Sequence, residues 1–311
     1  MGKPSKQSTS LGLKAPDCRW VYLAVFGGIR YPYLQERTPC SGSNTPSGPP
    51  TDRPRGARHM HDTMLHTDWN APYILLSVII AVLTSGLALE LARRYTRIGT
   101  TVAPVVLGAI LGYGIWAMHF VGMLAMQLPT NVVYGLPLTL ISGVSAIGFL
   151  IAASVLLFKG TPTIQRILTS GTVAGSGIVL MHYVGMAALQ LNATPQYKPL
   201  LVGVSVLIAV GAASVAFYLF SRVIVANLNR TARIKIQLGA SLVMGAAIAG
   251  MHYTGMAAIS YLPQPLNTTL MGGIDVQSLF YLVLGLTMLV FVSTATFLFI
   301  EFSTKTDRAT L

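Results

Sequence analysis

Three six-residue segments of one pattern carry the side chains most able to do chemistry. They read Met118-His119-Phe120-Val121-Gly122-Met123, Met181-His182-Tyr183-Val184-Gly185-Met186 and Met251-His252-Tyr253-Thr254-Gly255-Met256. Each places an imidazole between two thioethers. Soft sulfur suits Cu(I), and imidazole suits copper, zinc and iron. Haem is the second choice, because His and Met are also its axial ligands. No Cys, Asp or Glu accompanies the histidines to favour zinc or a hard cation. On a helix, residues four apart differ by about 40° around the axis, so His119 with Met123, His182 with Met186 and His252 with Met256 share a face. The leading Met118, Met181 and Met251 are turned about 100° from the adjacent His, which places them for sharing between neighbouring helices.

A methionine in an apolar helix is usually packing, since its flexible chain fills irregular gaps. A single intramembrane histidine can simply bridge two helices. Ionisable groups inside spans are nonetheless rare and point to function by default. Three copies of one context favour a shared site. No general base accompanies the motif, so the pattern argues against an enzyme.

The elements that carry the motifs are membrane helices. The 311 residues are 53% hydrophobic and 10% charged, with a mean hydropathy of +0.62; soluble domains carry about 25% charged residues. Seven apolar runs are long enough to cross a bilayer core, which needs about 20 residues. They cover roughly 73–91, 101–128, 136–158, 167–191, 200–220, 236–262 and 278–300. The fold expected is all-α: a polytopic bundle of seven transmembrane helices with a threefold repeated helical hairpin, the first span standing outside the triplication. Gly112 and Gly114, Gly175 and Gly177, and Gly245 and Ala247 stand six and four residues before the leading methionines. Small residues at such offsets predict close helix packing.

Net charge is +12, but the basic residues lie in short clusters between apolar runs, which excludes nucleic-acid binding as their purpose. Arg93, Arg94, Arg97, Lys159, Arg166, Arg222, Arg230, Arg233, Lys235, Lys305 and Arg308 fall on one side of the bundle, and Lys198 alone on the other. The positive-inside rule then places the C-terminus in the cytoplasm and the N-terminus outside. The three motif spans all run outward. With eight to eleven residues left in each span, the histidines sit roughly 12–16 Å below the outer boundary. Residues 1–66 hold eight of the 17 prolines and nine of the 21 basic residues, and contain both cysteines, Cys18 and Cys40. They read as a disordered or untranslated extension, followed by a membrane domain over 67–302 and a short cytoplasmic tail over 303–311.

The triplicated motif resembles the MHYT domain, a bacterial integral membrane sensor named for it, and the resemblance covers about residues 66–300. It implies the inner membrane, a copper site formed by the motif His and Met residues, and sensing of a diatomic gas such as oxygen, carbon monoxide or nitric oxide. Phe120 departs from the tyrosine of the other copies, so no phenol role can be threefold. Many members of the family resemble sensors fused to cyclic-di-GMP enzymes or kinases. With about eleven residues after the last span, signalling through a separate cytoplasmic partner is expected here. A small copper-handling or transport protein is the alternative, but the broken helices and paired intramembrane carboxylates typical of transporters are not evident.

Overall fold

The computed structural model of the protein describes residues 64–98, 102–225, 230–264 and 272–309. The expected N-terminal extension lies outside the described residues up to residue 63. Among the described residues, seven helices are long and apolar enough to cross a membrane: α1 Ala71–Ile98, α2 Ala103–Met123, α3 Leu136–Phe158, α4 Ile164–Ala187, α5 Pro199–Val225, α6 Arg230–Ala257 and α7 Val276–Ala309. Proline opens several of them, at the first turn of α2 and α3 and as the first residue of α5, where no helix hydrogen bond is lost. The tight turn between α3 and α4 contains Gly160 at φ +144°, a conformation that suits glycine, and Thr163 caps α4 through the backbone N–H of Arg166.

Short strands frame each helical hairpin at the motif end of the bundle. They are β1 Asp68–Trp69, β2 Met126–Gln127, β3 Val133–Tyr134, β4 Leu189–Gln190, β5 Ala193–Tyr197, β6 Ile259–Pro263 and β7 Ile274–Asp275. β1 pairs antiparallel with β2, β3 with β4, and β5 with β6. The repeating unit is therefore strand–helix–helix–strand, and it occurs three times, as α1–α2, α3–α4 and α5–α6. One backbone bond of 2.8 Å repeats with it: the N–H groups of Asn70, Gly135 and Lys198 donate to the carbonyls of Ala125, Ala188 and Ala258.

The six helices close into a ring. α1 packs on α2 and α6, α3 on α2 and α4, and α5 on α4 and α6. The motif helices α2, α4 and α6 meet one another towards the ring's interior. Without a hydrophobic drive between helices in lipid, such seams depend on close backbone approach. The glycines foreseen from the sequence supply it: a Cβ on Gly112 or Gly175 would stand 2.6 Å from the Cα of Ile147 or Val210, and one on Gly245 would stand 3.0 Å from the Cα of Val82. These three contacts join α2 to α3, α4 to α5 and α6 to α1.

Two expectations need correcting. The span outside the triplication is α7, not the first. It lies against α2, where the Tyr113 hydroxyl meets Thr287 Oγ1 at 3.1 Å, and its strand β7 pairs with β3. Spacing of the motif alone does not tell whether each motif helix belongs with the span before it or after it; the strand pairs decide. Secondly, the motif helices end four or five residues after the histidine, at Met123, Ala187 and Ala257. The apolar residues that follow leave the helix, largely for strands, because hydropathy alone does not separate a short buried strand from the end of a helix.

Candidate metal centre

The motif helices bring the three histidines to one point. His119 Nδ1 lies 3.1 Å from His252 Nδ1 and 3.2 Å from His182 Nδ1, and each ring is 1% exposed. The rings are mutually edge-on, with centroids 5.0, 5.0 and 5.3 Å apart. Each ring rests on the motif glycine of another copy in a closed cycle. His119 Nε2 stands against Gly185, His182 Nε2 against Gly255, and His252 Nε2 against Gly122, so close that a Cβ on any of these glycines would collide with the imidazole. The glycine of each motif thus makes room for the histidine of another motif, on a different helix.

The polar atoms of the cluster are not satisfied by the protein. Three neutral imidazoles carry six nitrogens and three protons. Two Nδ1 contacts converge on His119, while all three Nε2 atoms are buried without a hydrogen-bond partner. One proton or one lone pair on His119 Nδ1 cannot fully serve both neighbours, so the crowding of the three Nδ1 atoms calls for an explanation. A cation among the Nδ1 atoms would accept all three lone pairs. Metal–imidazole bonds of about 2.0–2.1 Å in tetrahedral or trigonal geometry set the nitrogens about 3.3–3.6 Å apart. The two separations from His119 Nδ1 are only tenths of an ångström shorter, and all three histidines offer a ligand atom within 4.8 Å of the others. The three motif helices also end together a turn beyond the histidines, and the negative ends of their dipoles favour positive charge there. This cluster can hold a metal ion, and among the described residues it is the only grouping of three or more His, Cys, Asp or Glu side chains with that capacity.

The methionines divide. Met118, Met181 and Met251 line the small void against the histidines, together with Ile115, Ile178 and Ile248 from one turn earlier. Met123, Met186 and Met256 are buried in the core but do not line that void. Neighbouring helices therefore point the leading thioethers into the shared space.

A polar collar holds the motif aromatics. The hydroxyls of Tyr183 and Tyr253 lie 2.8 Å from Ser205 and Ser77 on the adjoining odd-numbered helices. Both serines already donate to a carbonyl three residues back, so each tyrosine is the donor in its pair. Ser142 takes the same place beside Phe120, which has no hydroxyl; Trp116, one turn earlier, donates its indole N–H to Ser142 Oγ and the Thr139 carbonyl at 3.2 Å. Trp69 and Tyr134 then meet Tyr253 and Phe120 edge-to-face, and Tyr197 meets Tyr183 at a tilt. Burial, and next the neighbouring Tyr261, pushes the Tyr134 phenol well above its ordinary value, as expected of a dry cover. Ser77, Ser142, Ser205 and Trp116 were missed by motif reading. The signal was present as a 65- then 63-residue spacing in the odd-numbered helices, separate from the 63- then 70-residue spacing of the histidines.

An apolar cavity of about 40 Å³ continues from the histidine void into the middle of the bundle, sharing Ile115, Ile178, Ile248 and Met251 with it.

Comparison with known proteins places two of the three motif copies in a known repeat. The family model "MHYT: Bacterial signalling protein N terminal repeat" matches residues 112–170 and 175–232. The chain is 41% identical over 203 residues to the bifunctional diguanylate cyclase/cyclic di-GMP phosphodiesterase MucR of Pseudomonas aeruginosa, covering 64% of this chain and 29% of that protein. It is 36% identical over 275 residues to the cyclic di-GMP phosphodiesterase NbdA of the same organism, covering 78% and 33%. It is 35% identical over 201 residues to the signaling protein YkoW of Bacillus subtilis, covering 63% and 25%. The chain spans about a third or less of the length of these relatives. No solved structure matches it. The repeated motif, the seven apolar helices and these matches together show a multi-pass membrane protein whose residues 112–232 belong to the MHYT family of bacterial signalling repeats.

Proposed function

We propose that the protein is the sensory membrane part of a bacterial signalling system, with one copper ion held by His119, His182 and His252 through Nδ1. The observation carrying this reading is the convergence of three buried imidazoles, with His119 Nδ1 lying 3.1 and 3.2 Å from the Nδ1 atoms of His252 and His182. Copper is preferred over zinc because Met118, Met181 and Met251 add soft sulfur around the same void. When bound, such an ion would supply a site for a diatomic gas or a change of oxidation state. The chain's own residues fix the imidazoles on the motif glycines, exclude water with the aromatic cover, and leave an apolar space on the other side.

The basic asymmetry supports an inner-membrane orientation with the N-terminus outside, the C-terminus in the cytoplasm and the cluster in the outer half of the bilayer. Two of the relatives are named for cyclic di-GMP enzymes, so a cytoplasmic partner of that class would receive the signal. A transport function is less well supported, because the histidines are sealed beneath strands and aromatics rather than set along an open path.

The test is metal analysis of the purified full chain in lipid nanodiscs, with infrared spectra before and after adding carbon monoxide. One copper per chain and a new carbonyl band are expected, both lost in His119→Ala. A folded chain that retains no copper above the level of that variant would refute the metal site. Copper retention without any response to carbon monoxide, nitric oxide or oxygen would refute gas sensing.

A further inference from the structure

The histidine void is closed towards the strand end of the bundle. Ala125, Ala188 and Ala258, two residues after the motifs, are fully buried, and their carbonyls are tied to Asn70, Gly135 and Lys198, the residues just ahead of α1, α3 and α5. A ligand that reaches the cluster must come by another way, and the threefold repeat shows where the wall is thinnest.

Each hairpin has an equivalent contact between its two helices, four residues before the leading methionine. In the first, Gly114 receives the Thr84 side chain; in the second, Gly177 receives Phe149. The 65- and 63-residue spacing of the odd-numbered helices places Ala212 at the third position, facing Ala247. Here the side chain that fills the seam in the other hairpins is missing, and both alanines line the apolar cavity. Gly114 and Gly177 are buried, whereas Ala212, Ala216, Ala247 and Ile248 are only partly so. The cavity wall is made of side chains such as Leu150, Ala174, Ala213 and Met244, without a polar group among its lining residues. Such a cavity stays dry and accepts small apolar molecules.

We propose that the α5–α6 seam at Ala212 and Ala247 is a side entrance through which apolar molecules of diatomic size pass from the hydrocarbon, along the cavity, to the histidine cluster. This rests on the gas-sensing reading and names the route that reading requires. It also explains why the repeat is broken at this contact and at neither of the other two.

Xenon tests the entrance without any metal. Metal-free full chain in nanodiscs, observed by xenon-129 NMR, should take up xenon in the cavity. Ala212→Phe with Ala247→Gly rebuilds the contact of the second hairpin in the third and should weaken uptake at least tenfold. The reverse variant, Phe149→Ala with Gly177→Ala, should open a second seam and speed xenon exchange. Absence of xenon from the native chain, or unchanged uptake in a folded plugged variant, would overturn the entrance. If the plugged chain fails to fold, unchanged exchange in the opened variant overturns it, and faster exchange supports it. In the copper-loaded chain the plug should slow carbon monoxide association at least tenfold while leaving copper content unchanged. Xenon uptake with no metal retained would refute the metal reading and leave the entrance standing; metal retention without xenon uptake would do the reverse.

Discussion

The histidine end and the middle of the bundle follow the same threefold repeat with different fidelity. At the histidine end, Ile, Met, His and Gly recur in all three copies, and where Phe120 replaces the tyrosine of the other two, Trp116 reaches the equivalent serine. In the middle, the corresponding contacts are Thr84 on Gly114, Phe149 on Gly177, and Ala212 facing Ala247. A metal needs several ligands placed within tenths of an ångström of one another, so no copy can drift alone. Helix packing tolerates any small-against-large pairing that fills the seam, and it also tolerates a seam left unfilled where an opening is useful.

The largest effect should come from breaking the centre itself. Replacing His119, which contacts both other rings, with Ala should lower metal affinity by more than the roughly 10–100-fold lost when an outer-shell partner is removed. Competition titration with a copper chelator measures it, and His182→Ala and His252→Ala should match. A loss confined to one histidine would mean the ring is not a three-ligand site.

Next in size is the glycine cradle. Gly185→Ala drives a methyl into His119 Nε2 and should destabilise the fold by about 1–3 kcal/mol, the usual cost of overpacking. Gly148→Ala on α3 meets nothing and should be neutral or stabilising by up to about 1 kcal/mol. Thermal unfolding in one detergent compares them, and equal behaviour would remove the special role of the motif glycine.

Trp116→Phe deletes the donor that serves Ser142 and should cost about 1 kcal/mol. Adding Phe120→Tyr should recover part of it by restoring the phenol found in the other copies. Failure of that double variant to recover would show that the indole does more than replace a hydroxyl.

The methionines sharpen the comparison within one motif. Met181→Leu, in the void, should reduce Cu(I) affinity several-fold, while Met186→Leu, outside it, should leave affinity unchanged and alter stability by less than about 1.5 kcal/mol. The opposite ranking would return the ligand role to the trailing methionine.

The smallest effect lies furthest from the centre. Asp275 caps α7 by accepting from the N–H groups of Gln277 and Ser278 at 3.0 Å, and hydrogen bonds from Ser278 hold its carboxyl below the ordinary value of 3.8. A carboxylate with a depressed folded-state pKa stabilises the fold above its unfolded value, and that contribution disappears as pH falls through the lower folded value. The cap should therefore weaken only below about pH 4, with metal binding at neutral pH unchanged in Asp275→Ala; hydrogen exchange at the start of α7 is the measure.

Much of this protein follows from its sequence alone. Seven apolar runs fix seven spans, because a bilayer core leaves a lone chain segment no cheaper way to satisfy its backbone than a helix. The motif spacing puts three histidines on alternate spans, hence at the same end of the bundle. What helical periodicity gives is the face of a residue on its own helix, not the neighbour that face will meet. Tertiary packing therefore decided the rest. The strand pairs set the hairpin phase and put α7 outside the ring. Closure of α1 on α6 turned three separate motifs into one cycle of His on Gly. The convergence of helices with small residues at their seams, rather than the angle on any one helix, brought Met118, Met181 and Met251 to the void and left Met123, Met186 and Met256 in the surrounding core.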